Sequence, residues 1–348
     1  MRVKAVMAVG GLLAVAVCAA AGGGTVWGAA AGEAANGGLA GTPVKGPAET
    51  GKGPFLFSYF NGNGDGLHLA WSEDGYTFTP LNNDKPVMTG QVGGKLMRDP
   101  CARQGPDGVW HLVFTSGWYE RGFGEADSND LVHWSQQHYV EAMKSEPTAK
   151  NTWAPELFYD DQKQDWLIFW ASTIPGKFSE TAVAGGDKAQ DGTILNHRMY
   201  CVTTKDFVTY SDTKLFYDPG FNCIDATIEK VGDGKYVMVI KDETKAPVAR
   251  KNLRVATAEH PEGPWSKASD PVSEDWVEGP TVTKVGDGWN IYYDRYTAHK
   301  YGGLRTTDWK TFENIDAKVA FPNGTRHGTV VPVTPEQLAP LKKLGTQQ

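Results

Sequence analysis

Short runs of apolar residues recur along the chain at wide and fairly regular spacing. Five of them stand out: Phe55–Phe60, Trp110–Thr115, Trp166–Trp170, Tyr236–Ile240 and Trp289–Tyr293. Each is only a few residues long and rich in aromatic and β-branched residues, which is typical of buried β-strands. Asp-Gly pairs precede three of the runs, at Asp107-Gly108, Asp233-Gly234 and Asp287-Gly288. Asp-Gly between apolar runs predicts tight hairpin turns, so the pattern predicts hairpin-rich β-structure.

A second element follows each apolar run. Its copies are Ser72–Phe78, Ser128–Trp134, Thr204–Tyr210 and Thr306–Phe312, with a looser one at Ala258–Trp265. The first four share Ser or Thr at the first position, Asp at the third and an aromatic residue at the seventh. The Asp can accept backbone N–H groups in a turn, and the aromatic ring can pack between neighbouring units. Five such units predict an all-β fold, a five-bladed β-propeller of four-stranded blades.

The two ends of the repeat array are unequal, and this predicts how the ring closes. The first unit starts at Phe55–Phe60 and lacks an inner strand, whereas the last unit has a spare one at Arg326–Val333. Pairing this C-terminal strand with the N-terminal strands completes the last blade and removes two open sheet edges.

The start of the chain differs in composition from the repeats. Arg2 and Lys4 precede an apolar run, so residues 1–21 are predicted to be a signal peptide and not a stable membrane span. Residues 22–53 are rich in Gly and Ala and are expected to form a flexible linker. Residues 54–348 then form the propeller, which we expect to be a catalytic domain, secreted or periplasmic, and a monomer.

Charge and cysteine content limit the possible partners and the possible disulfide bonds. The net charge is −7 and the chain has no basic run, which argues against nucleic acid as a partner. Beyond the predicted signal peptide the cysteines are Cys101, Cys201 and Cys223. An odd number argues against a disulfide framework. We expect buried free thiols, with a Cys201–Cys223 bridge as the alternative.

Candidate chemistry lies at the start of each predicted inner strand, because these positions face the central funnel of a propeller. The segments there read Arg98-Asp99-Pro100, Trp153-Ala154-Pro155-Glu156, Ile224-Asp225-Ala226, Glu278-Gly279-Pro280 and Arg326-His327-Gly328. We therefore expect four acidic residues and a histidine at one structural position, one in each blade.

In this order and at this spacing, the five motifs resemble the signature of glycoside hydrolase family 43, over residues 54 to about 340. The resemblance implies that Asp99 is a general base, that Asp225 orients and tunes the acid, and that Glu278 is the general acid. It also implies that His327 lies near a central ion or water and that the reaction inverts the anomeric centre. Ala226 stands where the family commonly has Pro, which changes the backbone but removes no chemical group.

Acidic residues are the side chains that glycoside cleavage requires. Inverting glycoside cleavage needs one carboxylic acid to protonate the leaving oxygen and one carboxylate to activate water. Carboxyl groups that share a funnel push each other's pKa upward, which helps to keep one of them protonated. No cofactor is required for this chemistry, although a structural calcium or other cation in the funnel, held by His327, is a hypothesis.

Further residues are candidates for substrate contact. We expect Trp153 to stack on a sugar or to pack in the core, Arg295 to contact a substrate hydroxyl or carboxylate, and His327 to lie at the substrate. Glu156 is left out of catalysis, since it can simply cap a turn beneath Trp153.

The sequence thus predicts a glycosidase that acts on an oligo- or polysaccharide, cleaving β-xylosides or α-L-arabinofuranosides in plant hemicellulose or pectin side chains. One alternative is a sialidase-like enzyme, but the Asp-containing repeats are one residue shorter than sialidase repeats, and the inner motifs offer only Arg98 and Arg326. A fructan hydrolase would have Asn where Arg98 stands. A non-catalytic carbohydrate-binding propeller remains a third reading, although it would not need three acids.

Overall fold

The computed structural model describes residues 39–46 and 51–345, all of which belong to one compact unit. The predicted signal peptide and most of the predicted linker lie outside the described residues. The described strands, in chain order, are β1 Phe55–Tyr59, β2 His68–Ser72, β3 Thr79–Pro80, β4 Arg98–Gln104, β5 Trp110–Thr115, β6 Phe123–Ser128, β7 His138–Val140, β8 Trp153–Asp160, β9 Asp165–Ser172, β10 Arg198–Thr204, β11 Lys214–Tyr217, β12 Cys223–Gly232, β13 Lys235–Asp242, β14 Asn252–Ala258, β15 Glu278–Val285, β16 Gly288–Arg295, β17 Lys300–Thr306, β18 Glu313–Asn314 and β19 Thr329–Pro332.

Helical structure within the described ranges is sparse. Two short 3-10 turns span Asn82–Asp84 and Ser179–Thr181, and one α-helix, α1, spans Pro335–Leu341. None of these helices has the length and apolar character needed to cross a bilayer. The N-terminus of α1 is capped by the Thr334 side chain, which accepts from the backbone N–H of Gln337.

The strands form five sheets arranged as a five-bladed β-propeller, which confirms the predicted fold class. From the centre outward, blade 1 is β4-β5-β6-β7, blade 2 is β8-β9-β10-β11, blade 3 is β12-β13-β14, blade 4 is β15-β16-β17-β18, and blade 5 is β19-β1-β2-β3.

Blade 5 joins the two ends of the propeller, as the sequence predicts. Strand β19 pairs antiparallel with β1, with Phe55 opposite Pro332 and Ser58 opposite Thr329. The strand is shorter than the predicted run from Arg326 to Val333, because residues 326–328 precede it and Val333 follows it.

The core consists of one apolar cluster at each interface between neighbouring blades. Side chains alternate along the strands, so each central strand serves two interfaces. Along β9, for example, Trp166, Ile168 and Trp170 pack towards blade 1, whereas Leu167 and Phe169 pack towards blade 3. The apolar runs of the sequence are continuous, without an apolar–polar alternation, because both faces of these strands are buried.

The Asp-containing repeats form the turns predicted for them. In each of the four regular copies the Asp accepts from the backbone N–H groups two and three residues later, and the first Ser or Thr accepts from the N–H three residues later. The residue at that last position has a positive φ in every copy: Gly75, Leu131, Phe207 and Trp309.

Blade 3 has three strands where four were predicted. After β14 the chain still runs alongside that strand, since Ser266, Ser269 and Val272 donate their N–H groups to Thr257, Val255 and Leu253. Bonds at every third residue do not form a regular ladder. Serine hydroxyls accept from the N–H groups of the same three β14 residues. Side-chain bonds of this kind compete with regular strand pairing.

Two further expectations can be compared with the described residues. Cys101, Cys201 and Cys223 are buried free thiols, as expected, and the alternative bridge is not formed. Residues 39–46 of the predicted linker contact the propeller, where the Val44 carbonyl accepts from the side chains of Gln104 and Gln337.

Candidate active site

The first four inner strands share an irregularity at the funnel. In β4, β8, β12 and β15 the pairing register shifts just after the first or second residue. Within each shift one residue has a positive φ, namely Asp99 at 51°, Ala154 at 48°, Asp225 at 54° and Gly279 at 57°. Such bulges bend a strand and redirect its side chains, so they are frequent next to active sites. Asp and Gly tolerate this conformation better than most residues.

The bulges show that the acidic residues are not at one structural position, contrary to the expectation. Asp99 and Asp225 occupy the positive-φ position of their strands. Glu278 lies one residue earlier, in the place of Arg98, and Glu156 lies two residues later than the positive-φ position of its own strand. The sequence motifs do not reveal this offset, because they show where the acidic residues stand in the chain but not the backbone conformation that orients their side chains.

Five of the predicted site residues nevertheless line one pocket of about 350 Å³ at the funnel: Asp99, Trp153, Asp225, Glu278 and His327. The structure does not bring Arg295 to this pocket. Its Nε lies 2.6 Å from Oε1 of Glu274, and its Nη1 lies 3.0 Å from Oδ2 of Asp316. Side chains alternate along β16, and the preceding residue, Asp294, is the one that faces the funnel and binds Arg326.

Asp99 is held as a carboxylate. Its Oδ2 accepts a hydrogen bond of 2.7 Å from the Thr115 hydroxyl, and its Oδ1 lies 3.4 Å from Nδ1 of His327. Burial by itself would raise the pKa of Asp99, but the hydrogen bond from His327 and the charge of Arg98 lower it to about 2. Asp99 is therefore ionised at neutral pH, as a general base must be.

His327 lies between two carboxylates. Besides Asp99, its Nδ1 faces Oδ1 of Asp225 at 4.0 Å. Burial would lower the pKa of His327, but the hydrogen bond to Asp99 and the charges of Asp225 and Asp99 raise it to about 9. At neutral pH His327 is thus an imidazolium that neutralises part of the negative charge in the funnel.

Glu278 is clamped by two cations. Its Oε2 lies 2.9 Å from Nζ of Lys241, and its Oε1 lies 2.8 Å from Nη2 of Arg326. Burial raises the pKa of Glu278, but Lys241, then Arg326 and Arg98, lower it to about 2. In this arrangement Glu278 is ionised.

Asp225 carries the raised pKa of the site. Its Oδ2 accepts the backbone N–H of Gly279 at 3.0 Å. Burial is the main cause that raises the pKa of Asp225 to about 6; His327 and Lys241 oppose it, while Glu278 and Asp99 add to it. Of these two carboxyl groups, the one with the raised pKa is therefore Asp225 and not Glu278, which the family resemblance makes the acid.

Glu156 is buried and does not line the pocket. Its Oε1 accepts from the Thr329 hydroxyl at 3.2 Å, and its Oε2 lies 3.6 Å from Nη2 of Arg103. It thereby links blades 1, 2 and 5, which agrees with leaving it out of catalysis.

Sequence reasoning missed several residues at or beside the pocket, among them Lys241, His197 and Trp118. Lys241 is only 1% exposed, yet it touches Glu278 and Glu243; a lysine directly after the apolar run Tyr236–Ile240 was its only signal. His197 lies against the Trp153 ring, and Trp118 accepts a hydrogen bond of 2.8 Å from Trp153 Nε1 through its backbone carbonyl. Both come from loops between strands, where no periodic pattern marks them.

His197 has one ring nitrogen without a partner among the described residues. Its Nδ1 lies 3.0 Å from Oδ1 of Asn222, and its buried Nε2 has no protein partner. Burial lowers the pKa of His197 to about 4, so the ring is neutral. With Nδ1–H donating to Asn222, Nε2 is left as an unused hydrogen-bond acceptor.

A metal ion has no ready set of ligands at this pocket. Among the described residues, the imidazoles and carboxylates close enough together to bind an ion are His111, Glu125 and Asp127, whose donor atoms lie within 4.8 Å of one another on β5 and β6. They do not line the funnel pocket. At the funnel, Nδ1 of His327 faces the carboxylates of Asp99 and Asp225, so a cation held by this ring would bind at its other nitrogen, Nε2.

Five carboxyl groups line the central pocket of this five-bladed propeller, and three of them, Asp99, Asp225 and Glu278, come from the inner strands of three blades. This fold and site are those of a glycosidase, the class that the family comparison shows. A family model described as a probable glycosyl hydrolase domain, related to glycoside hydrolase family 43, matches residues 52–339. The chain belongs to this family.

Individual relatives are distant. An α-L-arabinofuranosidase of Bifidobacterium longum subsp. longum is 25% identical over 205 residues, which are 53% of this chain but only 19% of that protein. A thermostable family-43 glycoside hydrolase superposes with a TM-score of 0.50 at 16% identity, over 69% of this chain and 80% of that one. An α-L-arabinofuranosidase from Lactobacillus brevis has a TM-score of 0.49 at 19% identity, over 66% of this chain and 74% of its own.

Proposed function

We propose that this chain hydrolyses glycosidic bonds in plant hemicellulose or pectin side chains, with a β-xyloside or α-L-arabinofuranoside as substrate, by an inverting mechanism. The observation that carries the proposal is the meeting of Asp99, Asp225 and Glu278 in one pocket beside Trp153 and His197. The family match and the arabinofuranosidase relative support the class of reaction.

The reaction assigns one task to each carboxyl group. Asp99 removes a proton from a water molecule as its oxygen bonds to the anomeric carbon. Glu278 gives a proton to the glycosidic oxygen as the bond to the anomeric carbon breaks. Asp99 is then protonated and Glu278 ionised, and exchange of one proton with solvent restores the starting state.

Asp225 supports Glu278 by sharing a proton with it. The negative charge of either carboxylate raises the pKa of the other, so the proton belongs to the pair rather than to one residue. Because the pKa of Asp225 is about 6, the pair holds this proton below about pH 6. The reaction needs it on Glu278 when the leaving group is in place, so we expect activity to fall as pH rises above about 6.

The neutral pocket groups suit a sugar. The neutral ring of His197 lines the pocket, and the indole of Trp153 offers an apolar face on which a sugar ring can stack. Substrate contact at Trp153 and His327 therefore stays part of the proposal, whereas the position of Arg295 gives no support to its predicted role.

The test is a screen of aryl glycosides and natural oligosaccharides, with NMR of fresh products. We expect cleavage of at least one xyloside or arabinofuranoside and a product of the opposite anomeric configuration. A retained configuration would make Asp99 a nucleophile and overturn the inverting mechanism. A protein that binds xylan or arabinan but cleaves nothing would instead be the non-catalytic binding propeller.

The predicted cation has a separate test. Chelation with EDTA should lower the melting temperature of the wild type and spare His327→Ala if a cation is bound there. Indifference of the wild type to EDTA removes the cation from the proposal, which leaves the chemistry unchanged because the carboxyl groups supply both acid and base.

Export and the monomeric state are also proposals. A monomer predicts one sedimenting species with the mass of a single chain. Export predicts a mature protein outside the cytoplasm whose N-terminus lies beyond the apolar run that ends near residue 21.

A further inference from the structure

Arg98 differs from the other cations at the pocket. Lys241, Lys251 and Arg326 each touch at least one carboxylate, and His327 lies beside Asp99. Within the described ranges, Arg98 forms no ion pair; its one hydrogen bond is a long one of 3.4 Å, from Nη1 to the Asn63 side-chain oxygen. The pocket wall therefore contains one guanidinium whose charge is not balanced by direct contact.

Two aromatic rings pack against the guanidinium. Its Cζ lies 4.5 Å from the ring centroid of Phe60 and 4.4 Å from that of Trp118. Trp118 is itself held by the hydrogen bond from Trp153 to its carbonyl. The Arg98 stem packs under Gly64, where φ is +103° and a Cβ would lie 2.5 Å from Arg98 Cγ.

Aromatic rings take no conventional hydrogen bond from a guanidinium, so most of the Arg98 N–H groups have no acceptor among the described residues and remain for a ligand. This planar fork matches the two oxygens of a carboxylate better than it matches scattered hydroxyls. We propose that Arg98 binds a carboxylate of the substrate, so that the chain acts on oligosaccharides with a uronic acid next to the bond that is cleaved. The inference rests on the proposed glycosidase function, because Arg98 lines the same pocket as Asp99 and Glu278.

A bound carboxylate would also affect the acid. The charge of Arg98 is one of the causes that hold the pKa of Glu278 low. A substrate carboxylate on Arg98 neutralises that charge, and the pKa of Glu278 then rises. An acidic substrate would in this way favour the protonated form of Glu278 that its own cleavage requires.

The first test needs no variant. Uronic-acid-containing xylo-, arabino- and galacto-oligosaccharides are compared with the same compounds after their carboxyl groups have been reduced to hydroxymethyl groups. Calorimetry should show that the wild type binds the best acidic compound about 10- to 100-fold more tightly than its reduced form, the size expected for hydrogen bonds to a charged group. If the acidic compound is cleaved, the alkaline limb of its kcat profile should lie at higher pH than that of the reduced form.

Variants assign the effect to Arg98. Arg98→Gln should abolish the preference for the acidic compound, and Arg98→Lys, which keeps the charge but not the fork, should restore only part of it. The matched control is Arg121→Gln, because Arg121 lies three residues from Trp118 but pairs with Glu141 and does not line the pocket. The control should keep the full preference.

The outcomes separate this inference from the proposed function. Equal binding of acidic and reduced compounds, or failure to bind either, overturns the role of Arg98, even if neutral aryl glycosides are cleaved. An equal loss for both compounds in Arg98→Gln also overturns it and makes Arg98 a residue that positions Asp99. Arg98-dependent binding without any cleavage keeps the anion site and overturns the glycosidase.

Discussion

Glu278 must be protonated to act as the general acid, but Lys241 and Arg326 both stabilise its ionised form. If it is the acid, its loss should matter most for poor leaving groups. Glu278→Gln should reduce cleavage of natural oligosaccharides by roughly 10²–10⁴-fold but spare much of the activity on dinitrophenyl glycosides, which leave without a proton. Steady-state kinetics on both substrates measure this.

Asp99→Asn is the matched variant, because water must be activated whatever the leaving group is. It should slow both substrates alike. Equal losses in Glu278→Gln would place the acid elsewhere, and Asp225 would be the first residue to examine.

Lys241 gives a prediction on pH. Its positive charge is the largest cause that lowers the pKa of Glu278. Lys241→Met should raise that pKa and move the alkaline limb of the kcat/KM profile to higher pH. Asp225→Asn removes a negative charge and should move the limb to lower pH. Lys163→Met is the control, since Lys163 pairs with Glu262 outside the pocket; a limb that stays in place in Lys241→Met would exclude Glu278 as its origin.

His327 couples the pocket to the stability of the fold. Its pKa is raised from 6.5 to about 9 in the folded state. A raised pKa contributes stability that is fully present below about pH 6.5 and is lost as pH rises through about 9. The difference in free energy of unfolding between the wild type and His327→Gln, measured with urea, should therefore shrink over that interval. A constant difference would mean that packing alone accounts for His327.

At the scale of elements, the bulges that begin the inner strands decide which side chains reach the pocket. Gly279 has a φ of +57°, and a Cβ there would lie 2.4 Å from Cγ of His327. Gly279→Ala should therefore cost the left-handed penalty of about 1–2 kcal/mol plus about 1–3 kcal/mol of overpacking, and should lower activity by displacing His327. Urea unfolding and kinetics measure both effects.

Gly286 provides the control for this variant. Its φ is +61°, and a Cβ there has no neighbour within 4 Å, so Gly286→Ala should show only the backbone penalty and leave activity unchanged. If the two substitutions lower the free energy of unfolding equally, the close contact between the added Cβ and His327 does not destabilise the protein.

The bulges also explain how far the sequence could predict the site. The five motifs identified the strands that form the pocket, because each motif immediately precedes an apolar run. They could not show that Glu278 is one residue out of step with Asp99, because the folded blade sets the positive φ of Asp99 and no local sequence pattern marks it. Arg295 failed for a similar reason: the choice between pocket and surface depends on the side-chain alternation along β16.

At the scale of the whole molecule, the sequence predicted the fold more completely than it predicted the residues of the pocket. Five apolar runs and five turn motifs predicted the five blades, because each blade of a propeller repeats the same strand and turn pattern. The spare strand at Arg326–Val333 predicted the pairing that closes the ring. Lys241 and His197 follow no repeat, since only the folded ring brings them beside Glu278 and Trp153, and no periodicity marks such residues.

Closure of the ring gives the last prediction. A chain that stops after Thr325 loses β19, the inner strand of blade 5, and leaves β1 and the clusters around Phe55, Leu56 and Phe57 exposed. Open edges and uncovered apolar surface destabilise and promote aggregation. A chain that stops after Val333 keeps β19 and loses α1, whose Leu338 and Leu341 pack against blades 5 and 1. We expect the first truncation to be insoluble or unfolded, and the second to fold with a lower melting temperature. Thermal denaturation of the soluble fractions measures this; if the chain without β19 melts within a few degrees of the full-length protein, the strand does not close the propeller.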